Sequence, residues 1–165
     1  MHKIIITGPE SSGKTTLSKN LSQYLNSKLV NEFARDYLEK KNNTYNFENL
    51  LEIAKNQYKI ENQKSKLIVC DTDLLTIKIW SEYKFGKCDS WILDKINTQK
   101  KEQRIYLLCK PDLNWEYDPQ RENELERDKL FNIYKKELKI LGHKYSIIKG
   151  NNRLNLAKKY LASIF

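Results

Sequence analysis

Apolar residues fall along this chain in two alternating rhythms. Short runs of aliphatic and β-branched residues occupy positions 3–7, 28–31, 67–71, 104–109 and 145–148, the signature of buried strands. Between them the spacing becomes helical. Leu17, Leu21, Tyr24 and Leu25 share one face, and Phe47, Leu50, Leu51, Ala54 and Tyr58 share another behind a capping Asn46. Leu74, Ile77 and Trp80 make a stripe ending near Phe85-Gly86. Leu130, Tyr134, Leu138 and Leu141 make one closed by Gly142, and Leu154, Ala157, Leu161 and Ile164 make the last. Strands alternating with helices predict an α/β fold of three layers, a five-stranded parallel sheet with helices on both faces. Most of these stripes are core and nothing more.

One stretch breaks the rhythm. Positions 110–127 are rich in charge and hold two of the three prolines, Pro111 and Pro119. A loop this long in a compact fold is usually functional or disordered. It follows a strand at the carboxyl edge of the sheet, where ligands sit in open α/β folds, so it is predicted to be a lid. No repeat, linker or low-complexity tract divides the chain, and 1–165 is expected to be a single domain.

Three strand ends carry chemistry. The first strand runs into Gly8-Pro9-Glu10-Ser11-Ser12-Gly13-Lys14-Thr15, which matches the phosphate-binding loop G-x-x-x-x-G-K-[ST] in its strand-loop-helix setting. Gly8 and Gly13 let the backbone turn so that successive N–H groups face one concavity, and the start of the next helix adds partial positive charge. Lys14 is the expected partner of the β- and γ-phosphates, and the Thr15 hydroxyl the expected ligand of Mg²⁺. The third strand ends in Cys70-Asp71-Thr72-Asp73. Asp71 stands where such proteins place the carboxylate that holds the metal, while Asp73 either caps the next helix or joins the chemistry. The second strand runs into Asn31-Glu32-Phe33-Ala34-Arg35-Asp36. Glu32 could take the proton of an attacking hydroxyl or bind sugar hydroxyls, and Arg35 could meet a phosphate or pair with Glu32 or Asp36. In the lid, Trp115 offers a flat face to a planar heterocycle or simply anchors the loop. Asp118 and Arg121 flank it with an acceptor and a donor, and Arg121 and Arg127 have the fork geometry to neutralise a phosphoryl group in flight.

Composition narrows the function classes. The formal charge is +9, yet it comes from 25 Lys and only 5 Arg scattered among 16 Asn, with no arginine-clustered stripe, so no nucleic-acid partner is expected. Three of the five arginines, Arg35, Arg121 and Arg127, fall in segments singled out on other grounds. Cys70, Cys88 and Cys109 show no C-x-x-C spacing, and Cys70 and Cys109 read as small buried hydrophobes. His2 and His143 lack neighbouring ligand types, so no zinc is expected. Met1-His2-Lys3 leads straight into a strand and no apolar run is long enough to span a bilayer; a cytoplasmic protein is expected. Neither N-K-x-D nor D-x-x-G occurs, which disfavours a regulatory GTPase.

The phosphate loop variant, Glu32-Phe33-Ala34-Arg35-Asp36-Tyr37, Asp71-Thr72-Asp73 and Pro111-Asp112…Trp115…Asp118…Arg121-Glu122-Asn123 stand in one order. Together they resemble the ribosylnicotinamide kinase domain of the bifunctional nicotinamide-nucleotide adenylyltransferase/ribosylnicotinamide kinase family. The resemblance runs from Lys3 to the last strand. It implies a P-loop NTPase fold of the nucleoside/nucleotide kinase type, with ATP and Mg²⁺ as cofactors. It also implies transfer of the γ-phosphate to the 5′-hydroxyl of nicotinamide riboside, giving nicotinamide mononucleotide for NAD salvage. Gly8, Glu10, Ser11, Ser12, Gly13, Lys14, Thr15 and Thr16 would line the nucleotide site, with Gly150 and Asn151 in an adenine-facing turn. Glu32, Arg35, Asp73, Trp115 and Asp118 would meet the acceptor. Glu32 is the first choice of base, with Asp73 behind it. Family members carry an adenylyltransferase domain before the kinase; this chain begins at the kinase strand and is expected to stand alone or to have a drifted substrate. Asn114 occupies a place where the family tends to have proline, which loosens the lid before Trp115. A kinase of another nucleoside or small metabolite, or a non-catalytic ATP-gated interaction or nucleic-acid-binding protein, are the alternatives.

Overall fold

Strand β1 (His2–Thr7) points Ile4 and Ile6 to one side and Ile5 to the other, and all three are fully buried in the computed structural model, which describes residues 2–164. An isoleucine run buried on both sides belongs at the centre of a parallel sheet. Its neighbours are β3 (Leu67–Asp71) and β4 (Arg104–Cys109), with β2 (Lys28–Val30) and β5 (Lys144–Ile148) at the edges. The order is β2-β3-β1-β4-β5 and every pairing is parallel. Ile6 stands opposite Asp71 on one side and Leu107 on the other, so the loop at Gly8, the Asp71 carboxylate and the end of β4 emerge along one carboxyl edge.

Helices α1 (Lys14–Tyr24) and α7 (Arg153–Ala162) cover one face, where Leu17, Leu21, Ala157 and Leu161 pack on Ile4, Ile6, Val69 and Leu107. The opposite face, presenting Ile5, Cys70, Tyr106 and Leu108, is covered by α2 (Phe33–Lys40), α3 (Phe47–Glu61), α4 (Leu74–Phe85), α5 (Ser90–Gln99) and α6 (Arg127–Leu141). This is the three-layer α/β architecture that the hydrophobic pattern predicts. Asn46 caps α3 in a reciprocal pair with Asn49, and Gly86 and Gly142 end α4 and α6 in the left-handed conformation. Among the described residues no helix is long and apolar enough to cross a membrane.

Two expectations are corrected. Tyr24 is not a core residue: it is 57 % exposed, with the Lys158 ammonium 3.8 Å above its ring. Helices α2 and α5 are additional to the pattern. Each buries one pair of apolar residues four apart, Ala34 with Leu38 and Ile92 with Ile96, while Phe33, Tyr37 and Trp91 pack on the core only in part, too little to establish a period.

Charge is buried as well as apolar surface. Arg104, at the start of β4, is fully enclosed and reaches Glu61 at 2.5 Å, Glu102 at 3.0 Å and Asp73 at 3.1 Å. Lys3 joins through Glu102 at 3.0 Å and Asn62 at 2.7 Å, and the Tyr106 hydroxyl donates to Asp73 at 2.7 Å. Burial pushes the Glu61 carboxyl above its usual range against the pull of Arg104.

Candidate active site

The loop after β1 is shaped by a close crossing. A Cβ at Gly8 would lie 2.6 Å from the Cys109 carbonyl oxygen, so only glycine allows β1 to leave the sheet beside the end of β4. Gly13, at φ 79°, then starts α1. Helices α3, α4 and α5 have side chains on their first N–H groups, but α1 has neither a side-chain cap nor an acidic residue in its first turn. Its leading amides and the loop therefore form a cradle suited to an anion. Ser12 braces the loop by donating to the Pro9 carbonyl at 2.6 Å, and Lys14 Nζ lies on the same carbonyl at 2.8 Å.

Beside the cradle the Thr15 hydroxyl donates to Asp71 Oδ2 at 2.6 Å. The other carboxylate oxygen, Oδ1, is buried without a hydrogen-bond partner. A hydroxyl and a carboxylate with a spare buried oxygen are oxygen donors of the kind Mg²⁺ takes while keeping much of its water. The residues present fit that ion.

The cradle opens into a cavity of about 500 Å³. Its wall includes Gly8, Glu10, Ser11, Ser12, Gly13, Lys14, Thr15 and Thr16, and beyond them Glu32 and Arg35. Burial pushes the Glu32 carboxyl above its usual range; Lys14 opposes this and Asp71 adds to it. The far wall is aromatic and apolar, built from Ile79, Trp80 and Tyr83 of α4 with Leu130 and Tyr134 of α6.

The lid lies closed over this cavity. Glu10 of the loop accepts from the main-chain N–H groups of Glu122 at 3.1 Å and Asn123 at 2.8 Å. Ser11 Oγ accepts from Glu116 N–H at 3.0 Å, and Arg35 pairs with Asp118 at 2.8 Å. Lys84 of α4 pairs with Glu122 at 2.7 Å. Arg121 lines the cavity and donates to the Glu116 carbonyl at 2.5 Å.

Several residues singled out from the sequence lie elsewhere. Asp73 is fully buried: one oxygen caps α4 through Leu75 N–H at 3.1 Å, and the other holds Arg104 and Tyr106, so it does not reach the cavity. Trp115 is off the cavity wall, with the guanidinium carbons of Arg127 and Arg121 at 5.5 and 6.0 Å from its ring centroid, so lid anchoring is the role its contacts describe. Arg127 spends its fork on the main-chain carbonyls of Ser11 and Leu113, both at 3.1 Å, and does not face the cavity. Arg35 pairs with Asp118 across the lid seam, with neither Glu32 nor Asp36, and Asp118 itself stays off the wall. Gly150 and Asn151 are also off the wall; Gly150 N–H binds Asp112 Oδ2 at 2.8 Å and ties that turn to the root of the lid. Sequence reasoning missed the aromatic wall of the cavity. Trp80 and Lys84, one turn apart on α4, carry a mixed aromatic and charged signature that a purely core-facing stripe lacks.

A family model described as "AAA domain" matches residues 3–153. No curated protein is significantly similar in sequence. Solved structures of similar fold include the NadR protein in complex with NAD and AMP-PNP, at TM-score 0.71 and 16 % identity over 98 % of this chain and 49 % of that one. Thymidylate kinase from Ehrlichia chaffeensis follows at TM-score 0.67 and 18 % identity, over 99 % of this chain and 97 % of that one. Shikimate kinase from Acinetobacter baumannii, in complex with shikimate, gives 0.58 and 14 % over 99 % and 93 %. The chain spans about half the length of the NadR protein. At these identities the likeness is one of fold.

Proposed function

We propose that this chain, which belongs to the AAA domain family, is an ATP-dependent phosphotransferase that phosphorylates the 5′-hydroxyl of nicotinamide riboside to give nicotinamide mononucleotide. The observation that carries the phosphoryl-transfer part is the buried, unpartnered Asp71 Oδ1 beside the Thr15 hydroxyl at the mouth of the cradle. Thr15 and Asp71 would hold Mg²⁺, which when bound neutralises charge on the β- and γ-phosphate oxygens. Lys14 leaves the Pro9 carbonyl for the phosphates, and the loop amides hold the chain of anionic oxygens. Glu32 takes the proton of the attacking hydroxyl, its raised pKa making it a stronger base than an ordinary carboxylate. Arg121 faces the charge that spreads over the transferring group, and the closed lid keeps water away from it.

The acceptor side supports an uncharged or cationic ring compound. Its two cations, Arg35 and Lys84, are already answered by the lid carboxylates Asp118 and Glu122. An acceptor bringing its own phosphate or carboxylate would compete with those pairs and meet the Glu32 carboxylate. Trp80 and Tyr83 take over from Trp115 as the flat surfaces for a ring. ATP consumption measured with nicotinamide riboside, ordinary nucleosides, a nucleoside monophosphate and shikimate tests this directly. Nicotinamide riboside is expected to turn over fastest and the anionic acceptors least. ADP release with no riboside at all, or a preference for the anions, overturns it.

Glu32→Gln tests the base. Its kcat is expected to fall by about 10²-fold or more. In the wild type kcat/KM drops as pH falls through the Glu32 pKa, because the base becomes protonated. That pKa is raised, so the drop comes at a higher pH than for an ordinary carboxylate. The Gln variant has no such group to titrate, and a pH–rate profile that kept the same acid limb would assign the base elsewhere.

A further inference from the structure

Tyr45 lies in the connection between α2 and α3, off the cavity wall, yet its hydroxyl joins two residues that are on it. The Trp80 indole N–H donates to Tyr45 Oη at 2.8 Å, and the Tyr45 hydroxyl donates onward to Glu122 Oε2 at 2.9 Å. Glu122 belongs to the lid. Its other carboxylate oxygen takes Lys84 at 2.7 Å, and its main-chain N–H is held by Glu10 of the phosphate loop. One run of contacts thus passes from the acceptor wall through Tyr45 to the lid and on to the loop that cradles phosphate. The ring of Tyr45 is itself fixed, edge-on to Trp80 at 4.8 Å and to Phe85 at 6.2 Å, with Lys84 Nζ 4.3 Å over its face. Burial raises the phenol pKa, so the hydroxyl keeps the proton it donates to Glu122.

An indole whose N–H is tied has one settled ring orientation. A lid carboxylate that shares the same hydroxyl docks best when that ring is in place. We propose that Tyr45 is a positioning residue that sets the Trp80 ring against the acceptor and links its placement to lid closure, so that a seated acceptor favours the closed site. The proposal rests on the acceptor-site reading of the cavity given above.

Tyr45→Phe keeps the ring and removes only the hydroxyl. The expected result is an acceptor KM raised about tenfold, the loss of about 1.4 kcal/mol, with the KM for ATP within about twofold of wild type and the unfolding midpoint little changed. Hydrogen exchange at the Glu122 and Asn123 amides is expected to quicken several-fold in the free protein. Glu122→Gln added to Tyr45→Phe should cost less than the two singles summed. Equal rises in both KM values, or lid exchange identical to wild type, would overturn the coupling. The exchange measurement needs no substrate, so it decides the Tyr45 link even if wild-type protein phosphorylates no riboside, a result that would instead remove the activity reading.

Discussion

Replacing Lys14 by alanine is expected to lower kcat by about 10²–10³-fold, the scale seen when one preorganised charge-stabilising donor is removed from an active site. Phosphoryl transfer asks little covalent chemistry of the protein and much placement of positive charge. Lys14 is the cation that lies within the cradle itself, and in the free protein its ammonium rests on the Pro9 carbonyl at 2.8 Å. Removing it deletes a single hydrogen bond of a partly buried side chain, so the unfolding midpoint should move little. Steady-state kinetics beside a denaturant titration separate the two effects. A Lys14→Ala protein that kept most of its turnover would end the proposed mechanism, whatever its acceptor.

Arg104→Met is expected to do the opposite, costing about 3–5 kcal/mol of stability by leaving buried carboxylates without their partner. Arg104 is fully enclosed, and Glu61 and Asp73 are equally dry at 2.5 and 3.1 Å from it. Burial already raises the Glu61 carboxyl, and without the guanidinium that opposes it Glu61 would titrate at still higher pH in the folded chain than in the unfolded one. A carboxyl with a raised folded-state pKa binds its proton more readily when folded. The deficit should therefore be largest near neutral pH and shrink as pH falls towards the usual carboxylate range. Denaturant midpoints at pH 7 and pH 5 check the sign. A deficit that grew on acidification would mean that the network is held by something other than charge pairing.

Legibility in the sequence followed the range of the forces involved. The phosphate loop could be read because its requirements are local: glycine at a crossing, glycine at a left-handed helix start, and lysine and threonine next in line. The strands could be read because both faces of β1, β3 and β4 are buried, which makes each an unbroken apolar run. Asp73 could not be placed the same way. Its neighbour Asp71 is aimed at the cradle, but which buried cation Asp73 meets depends on Arg104, thirty-one residues away. Trp115 has the same difficulty. Its neighbours in sequence suit a flat face for a ring as well as an anchor for the loop, and which of the two holds is decided by where Arg121 and Arg127 return in space. Trp80 failed in the reverse direction. A residue on an apolar stripe of α4 looks like core, and only the gap left beneath the lid by α2, α4 and α6 turns it into wall.

The crossing at Gly8 has a mechanical consequence. Cys109 is the last residue of β4, and the lid begins immediately after it. A contact in which even a methyl group would intrude to 2.6 Å leaves no slack between the floor of the cradle and the hinge of the flap. The root of the flap is therefore fixed beside the cradle, and with its other end continuing into α6, opening falls to the middle stretch, where the Arg35 clasp on Asp118 and the Glu10 clasp on Glu122 and Asn123 must let go.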